Sequence, residues 1–288
     1  DYMIGPIRQI ANAAIDRIEK AGTFEFVGDF SSPVTVAVLS EFLGMPATDR
    51  RELHGHIVSM LSTDPETRQK TAQSMASFEW LKQYTQLLVE RHKREELDSL
   101  PNRLIRAEID GDRLLDREIQ MILLTLIMAG VESASSFMTM LALNLNDHPA
   151  TRARVMAAPS LIPRAIEESL RYNTTAQRFR RTLTCDYELH GQRMRAGDKV
   201  LLCYGAAGRD ERKHEEPDCY DIDRENTDHM SLGGGKHFCL GAPLAMLLVE
   251  HAMAALYRRL PGLLRLPGEL DWIPSTTFRS PVAIQYRL

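Results

Sequence analysis

The chain has 288 residues, 44% of them hydrophobic and 26% charged, and carries a formal net charge of −4. That apolar content is enough to bury a sizeable core and excludes a disordered chain, while the slightly acidic balance excludes the basic face that a nucleic-acid binder needs. The cysteines Cys185, Cys203, Cys219 and Cys239 include no C-x-x-C pair for zinc or redox chemistry, and the first three read as ordinary thiols. The longest strongly apolar run, Met121 to Val131, is too short to span a bilayer, and no signal-like segment opens the chain. No nucleic acid and no membrane are therefore expected as partners, and a cytoplasmic setting follows.

Helical periodicity dominates the first part of the chain. Tyr2 to Lys20 places Ile4, Ile7, Ile10, Ala14, Ile15 and Ile18 three and four residues apart, which predicts an amphipathic helix. Pro33 to Leu43 predicts a second, stopped by Gly44 and Pro46. Further helices are predicted at Thr48–Leu61, Pro65–Arg94, Asp116–Asn146, Pro149–Met156 and Leu161–Tyr172. Ser99 to Gly111 reads as a polar connection. From Arg181 to Val200 the pattern changes to short strands and turns, with His190-Gly191 and Ala196-Gly197-Asp198 as turn signals. The irregular, charged stretch Arg209 to Asp228 follows, then an apolar helix from Leu240 to Arg259. The fold class is mainly α with small β-sheets, an α+β chain.

Three segments carry chemistry. In Leu232-Gly233-Gly234-Gly235-Lys236-His237-Phe238-Cys239-Leu240-Gly241 a single cysteine lies between a glycine-rich loop and an apolar helix. Glycines let backbone pass close to a large flat cofactor, and the helix that follows aims unsatisfied N–H groups and its positive dipole end at the sulfur, an arrangement suited to a thiolate ligand. The Asp116–Asn146 helix is apolar on every face in its first half, as a helix through a protein's centre must be. Ala129-Gly130-Val131-Glu132-Ser133 then interrupts it with two small residues, a carboxylate and a hydroxyl. Ser133 can bond back to the Ala129 carbonyl, loosening the helix locally. Taken alone, this segment reads more simply as a helix with one polar stripe. Glu168 and Arg171, three apart on a helix, can pair, and an exposed pair of that kind means little.

Competing constellations fail on spacing. A phosphate loop would need Gly where Met230 stands and Ser or Thr where His237 stands. His54 and His56 lie on different sides of a helix and make a poor zinc pair. Cys239 with His237 suggests a thiol hydrolase, but neighbours two apart in one loop seldom reach hydrogen-bond geometry.

The order Gly-x-Gly-x-His-x-Cys-x-Gly resembles the haem-ligand loop of the cytochrome P-450 family. The Ala129–Ser133 segment resembles the oxygen-activating helix of the same family, Glu132 matching its acid and Ser133 its alcohol. Glu168-Ser169-Leu170-Arg171 resembles the family's Glu-x-x-Arg, a buried scaffold pair tied to an irregular segment like Glu216-Pro217-Asp218 through Asp221-Ile222-Asp223-Arg224. The strand region Arg181 to Gly191 is also similar to that of soluble bacterial members.

The resemblance implies one haem-thiolate monooxygenase domain over residues 1–288. It would begin at about the family's fourth main helix and lack the N-terminal quarter. It implies haem b with Cys239 as axial iron ligand, and Arg181 and His237 meeting the propionates. Leu232, Gly233, Gly241, Ala129 and Gly130 would border the haem, and Glu132 and Ser133 would be the catalytic proton carriers. A small apolar substrate would lie near Leu126, Ala129, Thr175 and the Thr277-Phe278 turn. Electrons would come from a separate ferredoxin- or flavodoxin-like donor, since no flavin or NAD(P)H motif is present. The alternatives are a haem-binding remnant without turnover and a peroxide-driven variant. Departures from the family pattern are Leu232 where an aromatic is usual, Ser133 for Thr, and Asn173-Thr174-Thr175-Ala176 where a Pro usually falls.

Overall fold

A computed structural model describes residues 2–61, 63–64, 66–67, 69–95, 97–225 and 228–288. The helices are α1 (Ile4–Ala21), α2 (Ser32–Phe42), α3 (Arg50–Leu61), α4 (Ala72–Arg94), α5 (Leu100–Arg106), α6 (Asp116–Asp147), α7 (Pro149–Ala157), α8 (Ile162–Tyr172), α9 (Tyr204–Ala207) and α10 (Ala242–Arg259). The strands are short: β1 (Thr23–Glu25), β2 (Glu108–Ile109), β3 (Asp112–Arg113), β4 (Phe179–Thr182), β5 (Tyr187–Leu189), β6 (Gln192–Met194), β7 (Lys199–Leu202), β8 (Leu264–Arg265) and β9 (Gln285–Arg287). The predicted α+β class, helices with small sheets, is what the structure has.

Most boundaries fall within a residue or two of the periodicity. The helix predicted from Pro65 begins instead at Ala72. Asp64 takes the Glu66 and Thr67 N–H groups on its carboxylate, Thr63 pairs with Lys70, and Thr71 Oγ1 accepts from Ser74 N at 3.0 Å as an N-cap. Pro65, Asp1 at the head of the predicted domain, and Asn226 and Thr227 in the irregular stretch lie outside the described residues. Ser99–Gly111, read as a polar connection, folds as α5 and part of the β2–β3 hairpin. The helix predicted from Leu240 starts at Ala242.

α6 organises the molecule because it belongs to both apolar cores. Its second half packs with α1, α2, α8 and α10 around Met138, Leu141 and Leu145, and its first half with α2, α3 and α4 around Ile119, Leu123 and Ile127. It is long and apolar enough to cross a membrane, and half of that stretch is buried inside the protein. The expectation that its first half is buried all round is corrected: Met121 is 51% exposed, and Thr125 and Ala129, one and two turns on, are exposed with it. That uncovered face runs into the cavity described below. At the far end, β9 pairs with both β1 and β8, and Tyr286 stacks on Phe24 across the β1–β9 ladder at 5.7 Å.

The Glu168–Arg171 pair is fully buried on α8. Arg171 donates through Nε and Nη2 to the two Glu168 oxygens, each at 2.7 Å. Its remaining N–H groups reach the carbonyls of Gly208 (2.7 Å), Pro217 (2.8 Å) and Cys219 (2.9 Å). Glu168 in turn accepts from Asp221 N at 2.8 Å and lies 3.5 Å from Arg224 Nε. A Cβ on Gly208 would overlap the Arg171 carbonyl oxygen, so only glycine admits this approach. Replacing Arg171 by Met strips the buried Glu168 carboxylate of its bidentate partner, leaving it the Asp221 N–H and the more distant Arg224, and removes a donor from each of the three carbonyls. Urea unfolding should show a loss of about 3–5 kcal/mol, and Arg171→Lys, with three donors for five acceptors, should recover only part of it.

His214 sits beside this network, 2% exposed, with neither ring nitrogen hydrogen-bonded to any of the described residues. Burial holds its pKa below the ordinary imidazole value, and the neighbouring Arg171, Arg224 and Lys213 charges push the same way, against Glu168. The unfolded chain therefore binds a proton here before the folded one does, so the contribution to stability is full above the unfolded value and is lost as pH falls through the folded one. His54 and His251 are displaced in the same direction. The urea midpoint should fall between about pH 7 and pH 5, and fall less in His214→Gln; identical slopes for the two proteins would exclude His214 as a contributor.

Candidate active site

The cysteine loop is fixed from both sides. Ser231 Oγ donates to the Leu170 carbonyl of α8 at 2.5 Å, and Cys239 N donates to Leu232 O at 2.8 Å. Between them the chain turns through Gly233, whose φ of +76° and close approach to the His237 carbonyl leave no room for a side chain. Ala242 N bonds the Cys239 carbonyl at 3.2 Å and Ala245 N the Gly241 carbonyl at 2.9 Å, so α10 starts directly behind the thiol with Gly241 as its N-cap. The Cys239 side chain is exposed, as are Cys185, Cys203 and Cys219.

Cys239 opens on a mainly apolar cavity of about 340 Å³. Among the residues singled out from the sequence, Ala129, Ser133, Arg181, Leu232, Gly233, His237 and Cys239 all line it, although they are drawn from α6, β4 and the loop. Gly241 lies behind the thiol; a Cβ on it would be 4.0 Å from the sulfur. Thr175 and Phe278 also line the wall, where residues 176 and 278 form a β-bridge.

Four expected placements are corrected. Gly130 faces away from the cavity, toward Leu39 of α2, whose methyl carbons would lie 3.4 and 3.6 Å from an added Cβ. Glu132 does not line the cavity either; its Oε1 accepts from Ser136 Oγ at 3.1 Å. Both follow from helical geometry, since Ala129 and Ser133 are one turn apart and share a face that their immediate neighbours do not. Leu126, placed near the substrate, packs on the α3–α4 core instead, and Thr277 is not among the lining residues.

Ser133 Oγ does bond back to the Ala129 carbonyl, as its position predicts. Burial raises the Glu132 pKa above the usual carboxylate value, with the Ser136 hydrogen bond opposing. Sequence reading missed the aromatic wall: Phe137, Phe179 and Tyr204 all line the cavity, with Phe179 5.7 Å from Tyr204 and 6.2 Å from Phe278 between ring centroids. Phe137 was in view on the α6 periodicity, but Phe179 and Tyr204 come together only through the β4–β7 ladder. His54 and His56 diverge, as their spacing predicts: His54 bonds Ser32, while His56 bonds Ser77 and stacks on Trp80.

The donor set suits a flat apolar macrocycle that carries a metal and carboxylates. One exposed thiol stands on the wall, the lining is apolar and aromatic, and neither Arg181 nor His237 has a carboxylate partner among the described residues. A family model described as cytochrome P450 matches residues 160–261. The chain is 34% identical over 283 residues to nocardicin C N-oxygenase of Nocardia uniformis subsp. tsuyamanensis, covering 96% of itself and 70% of that protein. It is 33% identical over 258 residues to 6-deoxyerythronolide B hydroxylase of Saccharopolyspora erythraea, covering 89% of itself and 63% of that protein. Among solved structures, cytochrome P450 CYP109Q5 of Chondromyces apiculatus superposes with a TM-score of 0.92 at 32% identity, over 99% of this chain and 72% of that one.

With that thiol loop, that cavity and these relatives, the chain belongs to the cytochrome P450 family. Gly233→Ala should loosen the loop locally, because the new methyl meets the His237 carbonyl at 2.7 Å. A strain of about 1–3 kcal/mol would speed hydrogen exchange at Cys239 N by about tenfold or more, with little change at the α6 amides.

Proposed function

We propose that this protein is a haem-thiolate monooxygenase that places one oxygen atom of O2 into a small, largely apolar organic substrate, using electrons from a separate ferredoxin- or flavodoxin-like donor. The observation that carries this reading is that Cys239 and, from α6, Ala129 and Ser133 line one apolar cavity. Bound haem would supply the oxygen-activating iron chemistry. Cys239 Sγ would hold its iron, and Arg181 and His237 would meet its carboxylates with charge-assisted hydrogen bonds. Ala129 leaves space beside the α6 backbone on the cavity side. Ser133 Oγ stands on the same wall and can pass a proton. Glu132, half-buried and with its pKa raised, is the reservoir behind it, and a side-chain rotation away from Ser136 would bring its proton to the cavity. Phe179, Tyr204 and Phe278 exclude water and select an apolar substrate.

The test is spectroscopic first. The reduced, CO-treated, haem-loaded protein should show the red-shifted thiolate–CO band, and Cys239→Ser should lose it; a retained band would overturn the ligand assignment. Ser133→Ala should keep the substrate-induced spectral shift while diverting O2 to peroxide, lowering product formed per O2 by about tenfold or more. Unchanged coupling in that variant would rule Ser133 out as proton carrier.

A further inference from the structure

A second pocket, of about 390 Å³, lies between α1, α2 and the start of α3. Its floor is aliphatic, including Ala14 of α1 and Val34 and Val36 of α2, and three guanidinium groups, Arg17, Arg50 and Arg51, also line it. No aspartate or glutamate is among its lining residues. The nearest acidic contact is Glu41, 3.8 Å from Arg50 Nη2, which is the outer limit of an ion pair. Arg50 Nε is buried with no hydrogen-bond partner, and Arg17 bonds only the Ala13 carbonyl of its own helix. The remaining polar group, His54, is already held by Ser32 at 2.6 Å.

An apolar floor under three cations, of which only Arg50 has a carboxylate contact, and a long one, narrows the ligand by elimination. A wholly apolar molecule would make no use of the half-buried Arg50 or of the exposed Arg17 and Arg51 at the rim, and a small inorganic anion would leave the floor wet. A phosphate ester of a sugar fails for the second reason as well. What satisfies both is an alkyl chain ending in one planar anion that guanidinium groups can fork. We infer that this pocket is a binding site for an amphiphilic carboxylate, a free fatty acid of medium chain length, separate from the Cys239 cavity. The inference stands on these residues alone and does not depend on the haem reading.

Decanoate is the probe, with decanol as its uncharged counterpart and the protein otherwise as expressed. Isothermal titration should show saturable decanoate binding, and intermolecular NOEs should connect the decanoate chain to the methyl groups of Val34 and Val36. Loss of charge-assisted hydrogen bonds should weaken binding by about tenfold or more, both for decanol on the unaltered protein and for decanoate on Arg50→Gln/Arg51→Gln. The double variant should keep the helical circular dichroism and urea midpoint of the unaltered protein, which shows that the loss is local. Decanoate binding unchanged in the double variant, or NOEs to Leu232 and Ala245 of the Cys239 cavity with none to Val34 and Val36, would overturn the inference. So would decanol binding as tightly as decanoate.

Discussion

Arg171 commits all five of its N–H donors to five acceptors, and the candidate site depends on that arrangement. Two acceptors are the Glu168 oxygens on the same helix; the other three are backbone carbonyls of the irregular stretch between α9 and the cysteine loop. A stretch with so little regular secondary structure has few ways to satisfy its own carbonyls. A buried guanidinium supplies the donors, and the buried carboxylate supplies the countercharge without which the guanidinium could not stay. The same helix then sets the site: the Leu170 side chain lines the cavity and the Leu170 carbonyl receives Ser231, the residue just before Leu232. The ion pair and the thiol loop are thus two ends of one rigid connection through α8.

The second constraint is the angular period of α6. A helix can show a given cavity only residues about a turn apart, so Ala129 and Ser133 reach it and Gly130 and Glu132 do not. Gly130 faces α2, where an added Cβ would come into van der Waals contact with the Leu39 methyls. Glu132 is held on the flank by Ser136. An acid kept off the wall, with its pKa raised and one residue from a wall hydroxyl, is suited to delivering a proton on demand, with no fixed charge presented to an apolar substrate.

Much of this was legible because it is local. The Ser133 back-bond, the turn at His190-Gly191, the stop after Phe42 and the cysteine between glycines are all written in residues a few positions apart. The Glu168–Arg171 pair was legible only as a possibility, since three-residue spacing is identical for an exposed pair and a buried one; what distinguishes them is the arrival of Gly208, Pro217 and Cys219 from elsewhere in the chain. The same limit explains the misplacements. The resemblance places Leu126 and Gly130 at the cavity, whereas the neighbours that capture them, the α3–α4 core and Leu39, are distant in sequence. The late start of α4 reflects competition by Asp64 and Thr71 side chains for backbone N–H groups, an effect that periodicity over a long window averages away.

Charge shows the same contrast between sum and arrangement. A net charge of −4 gives no hint of an anion site, because carboxylates and guanidinium groups that neutralise each other along the surface cancel in the total. Arg259 between Asp16 and Glu19, and Arg154 and Arg164 on Asp223, are such cases. The cations that carry information are those the fold places against apolar walls with no carboxylate beside them. Arg181 and His237 stand so in the Cys239 cavity, and Arg51 in the pocket on α2, where Arg50 has only the long 3.8 Å contact to Glu41. A cation in that position that has no close carboxylate among the described residues extends its field into the cavity and favours an anionic guest over water. On the proposed haem reading, the guest of the first cavity also offers a metal to a thiol and a broad apolar face to aromatic rings. In the second it needs only an aliphatic tail, and that difference in wall chemistry separates two ligands that the same basic residues would otherwise attract alike.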